Sequence, residues 1–190
     1  MDFEDFEEED DDRDYCAEMI AWLAERDPDV WFASTLRLNW DFAMPVLHWI
    51  VAQPQCDRAN AAMIFWLCDP AYHAGELVRG EQPWGEVWPL AETILENWRA
   101  GRYLRSELAW PEGTELPGPA HYLAQLAAVP DWQQVLNLPD DLLHPIAGRA
   151  PRLAPADLPE ENPEAWDLFA GLGSWCGPRP HSRQWREQRQ

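Results

Sequence analysis

From Tyr15 onward apolar residues recur with a helical period: Cys16, Met19, Ile20 and Leu23 stand at i, i+3, i+4 and i+7, flanked by Tyr15 and Trp22. Asp14 is placed to cap that segment. Asp27-Pro28 opens a second helix, a capping residue followed by the imino acid suited to the first helical position, and it runs through Val30, Trp31, Leu36 and Leu38. A third is expected to begin near Met44-Pro45, because proline is tolerated only in the first turn. Its apolar face is Val46, Leu47, Ile50 and Val51, and Pro54 closes it. Asp57 then caps the most hydrophobic stretch, Ala59 to Cys68. There Met63-Ile64-Phe65-Trp66-Leu67 is apolar on every side, as expected of a central, fully buried helix, and Asp69-Pro70 stops it. A further helix over about Pro89 to Ala100 turns Leu90, Ala91, Ile94, Leu95 and Trp98 inward and ends at Gly101.

The distal third keeps the same punctuation with less regularity. Gly118-Pro119 starts a short helix through Tyr122, Leu123 and Leu126, Asp131 with Gln134 reads as a capping box, and Asn162-Pro163 opens a helix holding Trp166, Leu168 and Phe169 before Gly171. Prolines at 151, 155, 159 and 163 predict an extended strap between them. No sustained apolar–polar alternation and no Asn-Gly hairpin signal is present. The expected fold is therefore all-α: a compact antiparallel helical bundle or short repeat-like array with an irregular Pro-rich C-terminal extension. The divisions expected are an acidic disordered tail over 1–14, a helical core over 15–104, a helical and Pro-rich extension packed on it over 105–178, and an Arg-rich tail over 179–190.

Charge changes this picture at both ends. The chain of 190 residues has 34 acids against 14 basic residues, all arginine, for a formal charge of -20. Such a balance argues against autonomous binding to nucleic acid or anionic lipid, which needs a cationic footprint. Ten of the first 14 residues are acids, and Phe3 and Phe6 sit among them. That block, with Glu7, Glu8, Glu9, Asp10, Asp11 and Asp12, is either a contact element for a basic partner or a solubilising tail. The last twelve residues carry four arginines and Glu187. The acidic start is unlike a secretory or mitochondrial leader, and no apolar run approaches the roughly 18 residues of a membrane span, so a cytoplasmic location is expected. Four scattered cysteines, Cys16, Cys56, Cys68 and Cys176, fit a reducing compartment.

Catalytic chemistry is hard to find. The five histidines form no HExxH, and a zinc site from His48, Cys56, Cys68 and His73 lacks finger spacing. Ser34, Ser106, Ser174 and Ser182 lie in no GxSxG turn, and the glycines around Ser174 lack the lysine of a phosphate loop. Asp140-Asp141 after Leu138-Pro139 reads as first-turn acids at a helix N-terminus. No catalytic residue, metal or cofactor is therefore assigned. Thirteen tryptophans are the compositional oddity. Most belong in the core, while Trp84, Trp88 and Trp110, beside Pro or Gly, are candidates for exposed interface anchors as against peripheral core packing.

Residues 38–70 carry a constellation of Asn39-Trp40-Asp41, Trp49-Ile50, Pro54 with Cys56-Asp57, Ala61 and Ile64-Phe65-Trp66. It resembles a bacterial family known as domain of unknown function 4274, over about residues 15–100. The resemblance implies a small helical domain and brings no catalytic residues. Of the shared positions, Asn39, Trp40, Asp41, Trp49, Cys56, Asp57, Phe65 and Trp66 read as architectural, and capping alone assigns Asp57 about 1 kcal/mol. The expected function is a non-enzymatic acidic binding protein, immunity- or antitoxin-like, that neutralises a cationic toxin or effector. A helical adaptor or scaffold is the second expectation. An enzyme whose first suspects are Asp41, His48 and His73 is the third.

Overall fold

The computed structural model describes residues 13–110 and 117–173. In chain order these form α1 (Tyr15–Ala24), α2 (Pro28–Arg37), α3 (Trp40–Ala52), α4 (Arg58–Leu67), α5 (Pro70–Val78), α6 (Val87–Arg99), α7 (Pro119–Leu126), α8 (Trp132–Leu136), α9 (Leu158–Glu161) and α10 (Trp166–Gly171), with 3₁₀ turns at Asp140–Leu142 and Pro163–Ala165. The fold is all-α, and the described residues form isolated bridges but no strand.

The local signals explain most helix starts. Asp14, Asp27 and Asp57 each accept a backbone N–H of the first turn, satisfying a donor that has no partner within the helix. Residues Ala59 to Trp66 of α4 are buried, as its uniformly apolar sequence requires. α6 packs against α3 and α4, α1 against α3 and α10, and α5 against α7 and α8. Trp66 crosses these layers: its ring stacks on Tyr122 of α7 at 5.9 Å, and its Nε1–H donates to the Leu142 carbonyl at 3.3 Å.

Three expectations need correction, and the second of the four, the stop at Asp69-Pro70, holds and is extended. First, α3 begins at Trp40, not near Met44, because the Asn39 side chain accepts from Asp41 N and caps the helix a turn earlier. Pro45 thus lies inside the helix, where it removes the bond to the Asp41 carbonyl, a loss tolerated at an exposed residue. Second, Asp69-Pro70 both ends α4 and starts α5. Asp69, at φ 51°, turns the chain and accepts from Tyr72 N at 3.2 Å. Third, Asp131 and Gln134 bond each other at 3.1 Å, and the Asp131 side chain caps no backbone N–H. Fourth, the Pro-rich stretch is not extended throughout: Leu158–Glu161 makes one helical turn with proline at its start.

The segment after α6 is held by buried carboxylates. Asp57, 1% exposed, accepts Ala59 N at 2.9 Å through Oδ1, and Glu107 N at 2.7 Å and Leu108 N at 3.2 Å through Oδ2. Arg58 N donates to the Arg105 carbonyl at 2.9 Å beside it. The next residues pair with 146–149: Ala109 N to Arg149 O at 2.7 Å, Arg149 N to Glu107 O at 2.9 Å and Trp110 N to Ile146 O at 3.0 Å. This seam leaves no room at Gly148, where a Cβ would stand 2.5 Å from the Leu108 backbone. Asp29, at the start of α2, completes the tie. It accepts both terminal nitrogens of Arg149 at 2.8 and 2.6 Å and the Arg152 backbone N–H at 2.6 Å. The Arg149 guanidinium, with that N–H, holds the Asp29 carboxyl well below the usual carboxylate range although burial opposes it.

Asp57→Ala orphans three backbone donors, so its cost is expected to be on the order of 3 kcal/mol in urea unfolding, not the 1 of a simple cap. Gly148→Ala is expected to cost about 1–3 kcal/mol in the same assay, because the methyl meets backbone rather than a movable side chain. For Asp29 the depressed folded pKa means a contribution fully present above the unfolded value of about 3.9 and lost as pH falls below it. Unfolding midpoints measured from about pH 5 to 2 should therefore fall less steeply in Asp29→Asn than in the native chain.

Candidate functional site

Of the three tryptophans proposed as surface anchors, one is exposed. Trp84 is 89% exposed, in the turn between α5 and α6, and the left-handed backbone of Gly85 (φ 89°) follows it. Trp88 is only 7% exposed. α6 starts at Val87, so Trp88 lies in its first turn and packs on the His73 ring at 5.2 Å. Trp110 is 1% exposed, because its backbone pairs with Ile146 and its ring lies near Tyr122. Flanking proline misleads for both: Pro89 belongs to the first turn of a helix, and Trp110 lies at the end of a backbone-paired seam where it and Leu108 are buried. Phe3, Phe6, Glu7, Glu8, Glu9, Asp10, Asp11 and Asp12 lie outside the described residues.

Beyond Trp84, Glu86 stands at the N-cap of α6 and Glu92 and Glu96 on its outer side, all exposed and, among the described residues, in no ion pair. Glu92 and Glu96, at i and i+4, share one stripe of a helix about 20 Å long, while Glu86 stands at its N-cap, off that stripe. Glu92 and Glu96 also line a groove of about 150 Å³ with Leu95, Arg99, Val135 and Leu136. The Arg99 guanidinium closes its far end by donating to the Leu136 and Asn137 carbonyls at 3.0 Å each.

At the C-terminal end of α6 lies a second, larger depression of about 350 Å³, lined by Arg58, Trp98, Tyr103, Leu104, Ser106 and Asp141. The Arg58 guanidinium sits over the Trp98 ring at 4.6 Å and pairs with Asp141. Trp98 Nε1–H donates to the other Asp141 oxygen at 2.8 Å. Burial opposes ionisation of Asp141, but the indole N–H and Arg58 outweigh it and hold the carboxyl below its ordinary value. The wall behind is rigid: Tyr103 Oη–H donates to Val51 O at 2.9 Å, Asn97 Nδ2 to the same carbonyl at 3.0 Å, and Arg102 Nη1 to Asn97 Oδ1 at 2.9 Å. Asp141, expected as a first-turn acid, does lie in a 3₁₀ turn, yet its carboxylate is spent on α4 and α6. The sequence pattern marks neither it nor Arg58 as part of a site; the only signal is an arginine directly after the cap of the central helix.

The remaining candidates do not assemble a reactive centre. Asp41 is exposed in the first turn of α3, His48 is half-buried on the same helix, and His73 is buried on α5 with Nδ1 3.0 Å from Glu76 Oε2. Among the described residues no three His, Cys, Asp or Glu side chains are placed to hold a metal ion, so His48, Cys56, Cys68 and His73 do not form a zinc site. Burial pushes the Cys56 and Cys68 thiols up, keeping them protonated and inert. The shared-motif residues are architectural: Asn39 caps α3, Trp40 Nε1–H reaches the Thr35 carbonyl at 3.4 Å, Trp49 packs on Trp31 at 5.1 Å, Cys56 is buried beside Asp57, and Phe65 meets Trp66 edge-on. No described helix is long and apolar enough to cross a membrane.

No curated protein and no solved structure matches the chain. Residues 26–98, from just before α2 almost to the end of α6, match the model of the family described as Domain of unknown function (DUF4274), the family that the Asn39-Trp40-Asp41 and Cys56-Asp57 motifs resemble.

Proposed function

We propose that the chain is a non-enzymatic binding protein of the immunity or antitoxin kind, which neutralises a cationic protein by covering it with the Trp84 turn and the exposed acids Glu86, Glu92 and Glu96 at the N-cap and on the outer side of α6. The observation that carries this reading is an almost fully exposed indole two residues before the N-cap acid of a helix that carries two further exposed carboxylates, none of the three in an ion pair among the described residues. Leaving a tryptophan in water forgoes a large burial energy, and such rings recur as the dominant anchors of protein interfaces. Glu86, Glu92 and Glu96 add complementary potential, which steers an oppositely charged partner and fixes its orientation. The formal charge of -20 extends the same field over the molecule and disfavours nucleic acid as the partner. α6 suits the role mechanically, since Leu90, Ala91, Ile94 and Leu95 anchor its inner face in the core.

The test is co-expression with the product of the gene adjacent to that of this chain. A cationic, growth-arresting product whose toxicity is relieved supports the reading, and undiminished toxicity overturns it. In the purified pair, Trp84→Ala is expected to weaken binding by at least about 30-fold. The triple change Glu86→Gln, Glu92→Gln, Glu96→Gln should mainly slow association and flatten its salt dependence, because exposed charges are screened over about 8 Å at physiological ionic strength. Stopped-flow measurement of the association rate against salt reads both.

A further inference from the structure

The depression at the C-terminal end of α6 has the parts of a guanidinium receptor, and the guanidinium in it belongs to the chain itself. Trp98 offers an aromatic face that a planar cation covers, and Asp141, fixed by the indole N–H at 2.8 Å, offers a carboxylate beside that face. Arg58 uses both at present. We infer that an arginine side chain of the cationic partner enters this site, lies on Trp98, pairs with Asp141 and displaces Arg58. The inference rests on the partner-binding reading above and names where on the chain, and by which chemistry, an arginine is recognised.

Three features favour an exchangeable site over a purely structural ion pair. The depression beside the pair measures about 350 Å³, in the range of small-ligand sites, so a second side chain has room to enter. Leu104 stands at its rim 85% exposed, an apolar surface suited to the methylene stem of an incoming arginine. Arg58 is also free to leave without unfastening the fold. Its backbone is held through Arg105 and α4 is capped by Asp57, while its own side chain is partly in water and rehydrates readily when released. The occupant is a cation and not an anion, because the Asp141 carboxylate lines the site in a chain of charge -20. It is arginine before lysine, because a planar fork matches a carboxylate and a ring face together where a compact ammonium does not.

The experiment uses the full chain and acetyl-arginine-amide as probe, followed by NMR at the Trp98 indole N–H, whose signal is assigned from Trp98→Phe. The probe is expected to shift that signal in the native chain. Arg58→Gln removes the resident competitor and should tighten binding by up to about tenfold if Arg58 occupies the site nine-tenths of the time. Arg58→Met, which keeps an apolar stem against the ring, should do the same and serves as a second variant. Asp141→Asn should abolish the shift with the far-ultraviolet circular dichroism unchanged, and acetyl-lysine-amide should bind more weakly than the arginine probe. Equal affinity in the native chain and both Arg58 variants, or no shift at Trp98 in any of them, overturns the inference and marks the cluster as structural. Because the probe requires no partner protein, failure here is separable from failure of the Trp84 reading, which the co-expression test decides.

Discussion

One buried carboxylate sets the frame for the rest. Asp57 satisfies a first-turn donor of α4 and, through its second oxygen, two backbone donors of the chain returning after α6. A carboxylate taken almost wholly out of water needs such a set of charge-assisted bonds, because its desolvation is otherwise uncompensated. Once Glu107 and Leu108 are held against α4, their outer edge is positioned to pair with 146–149, and Arg149 is thereby aimed at Asp29. Two acids thus tie the irregular distal third to the helical core.

The candidate site inherits its rigidity from that arrangement. Residues 101–106 pass directly from the end of α6 into the seam that Asp57 holds, so Tyr103, bonded to the Val51 carbonyl, backs the depression while Leu104 and Ser106 stand exposed at its rim. The backbone at Arg58 is secured, while its side chain reaches outward over the indole. Two groups of acids have different roles. Asp29 and Asp57 are buried and bonded, whereas Glu86, Glu92 and Glu96 are in water with no ion pair among the described residues. The second group is free to meet a partner without disturbing the fold.

Where sequence pattern and structure part, the physical origin is shared. Asp69-Pro70 has the same start signature as Asp27-Pro28, yet it also ends a hydrophobic run and so reads as a stop. A residue in the left-handed conformation allows one dipeptide to do both. The neighbours of Trp88 and Trp110 point to the surface, but burial depends on which surfaces cover a ring, and those come from α5, α7 and the 146–149 segment. For Asp57 the capping role is legible and the second half of its bonding is not, since its partners lie about fifty residues further along the chain.

By itself the amino-acid order determined what local physics controls: the all-α class, the caps at Asp14, Asp27 and Asp57, the inward face of α6, the fully buried α4 and the acidic field of the whole chain. These depend on periodicity, on caps within a few residues and on composition. Tertiary structure alone decided that Trp84 and not Trp110 meets solvent, that Asp141 serves Trp98 and Arg58 rather than its own turn, and that a depression of about 350 Å³ forms beside them at the end of α6. Each depends on side chains brought together from distant positions, a juxtaposition fixed by packing and burial, for which a local pattern carries no signal.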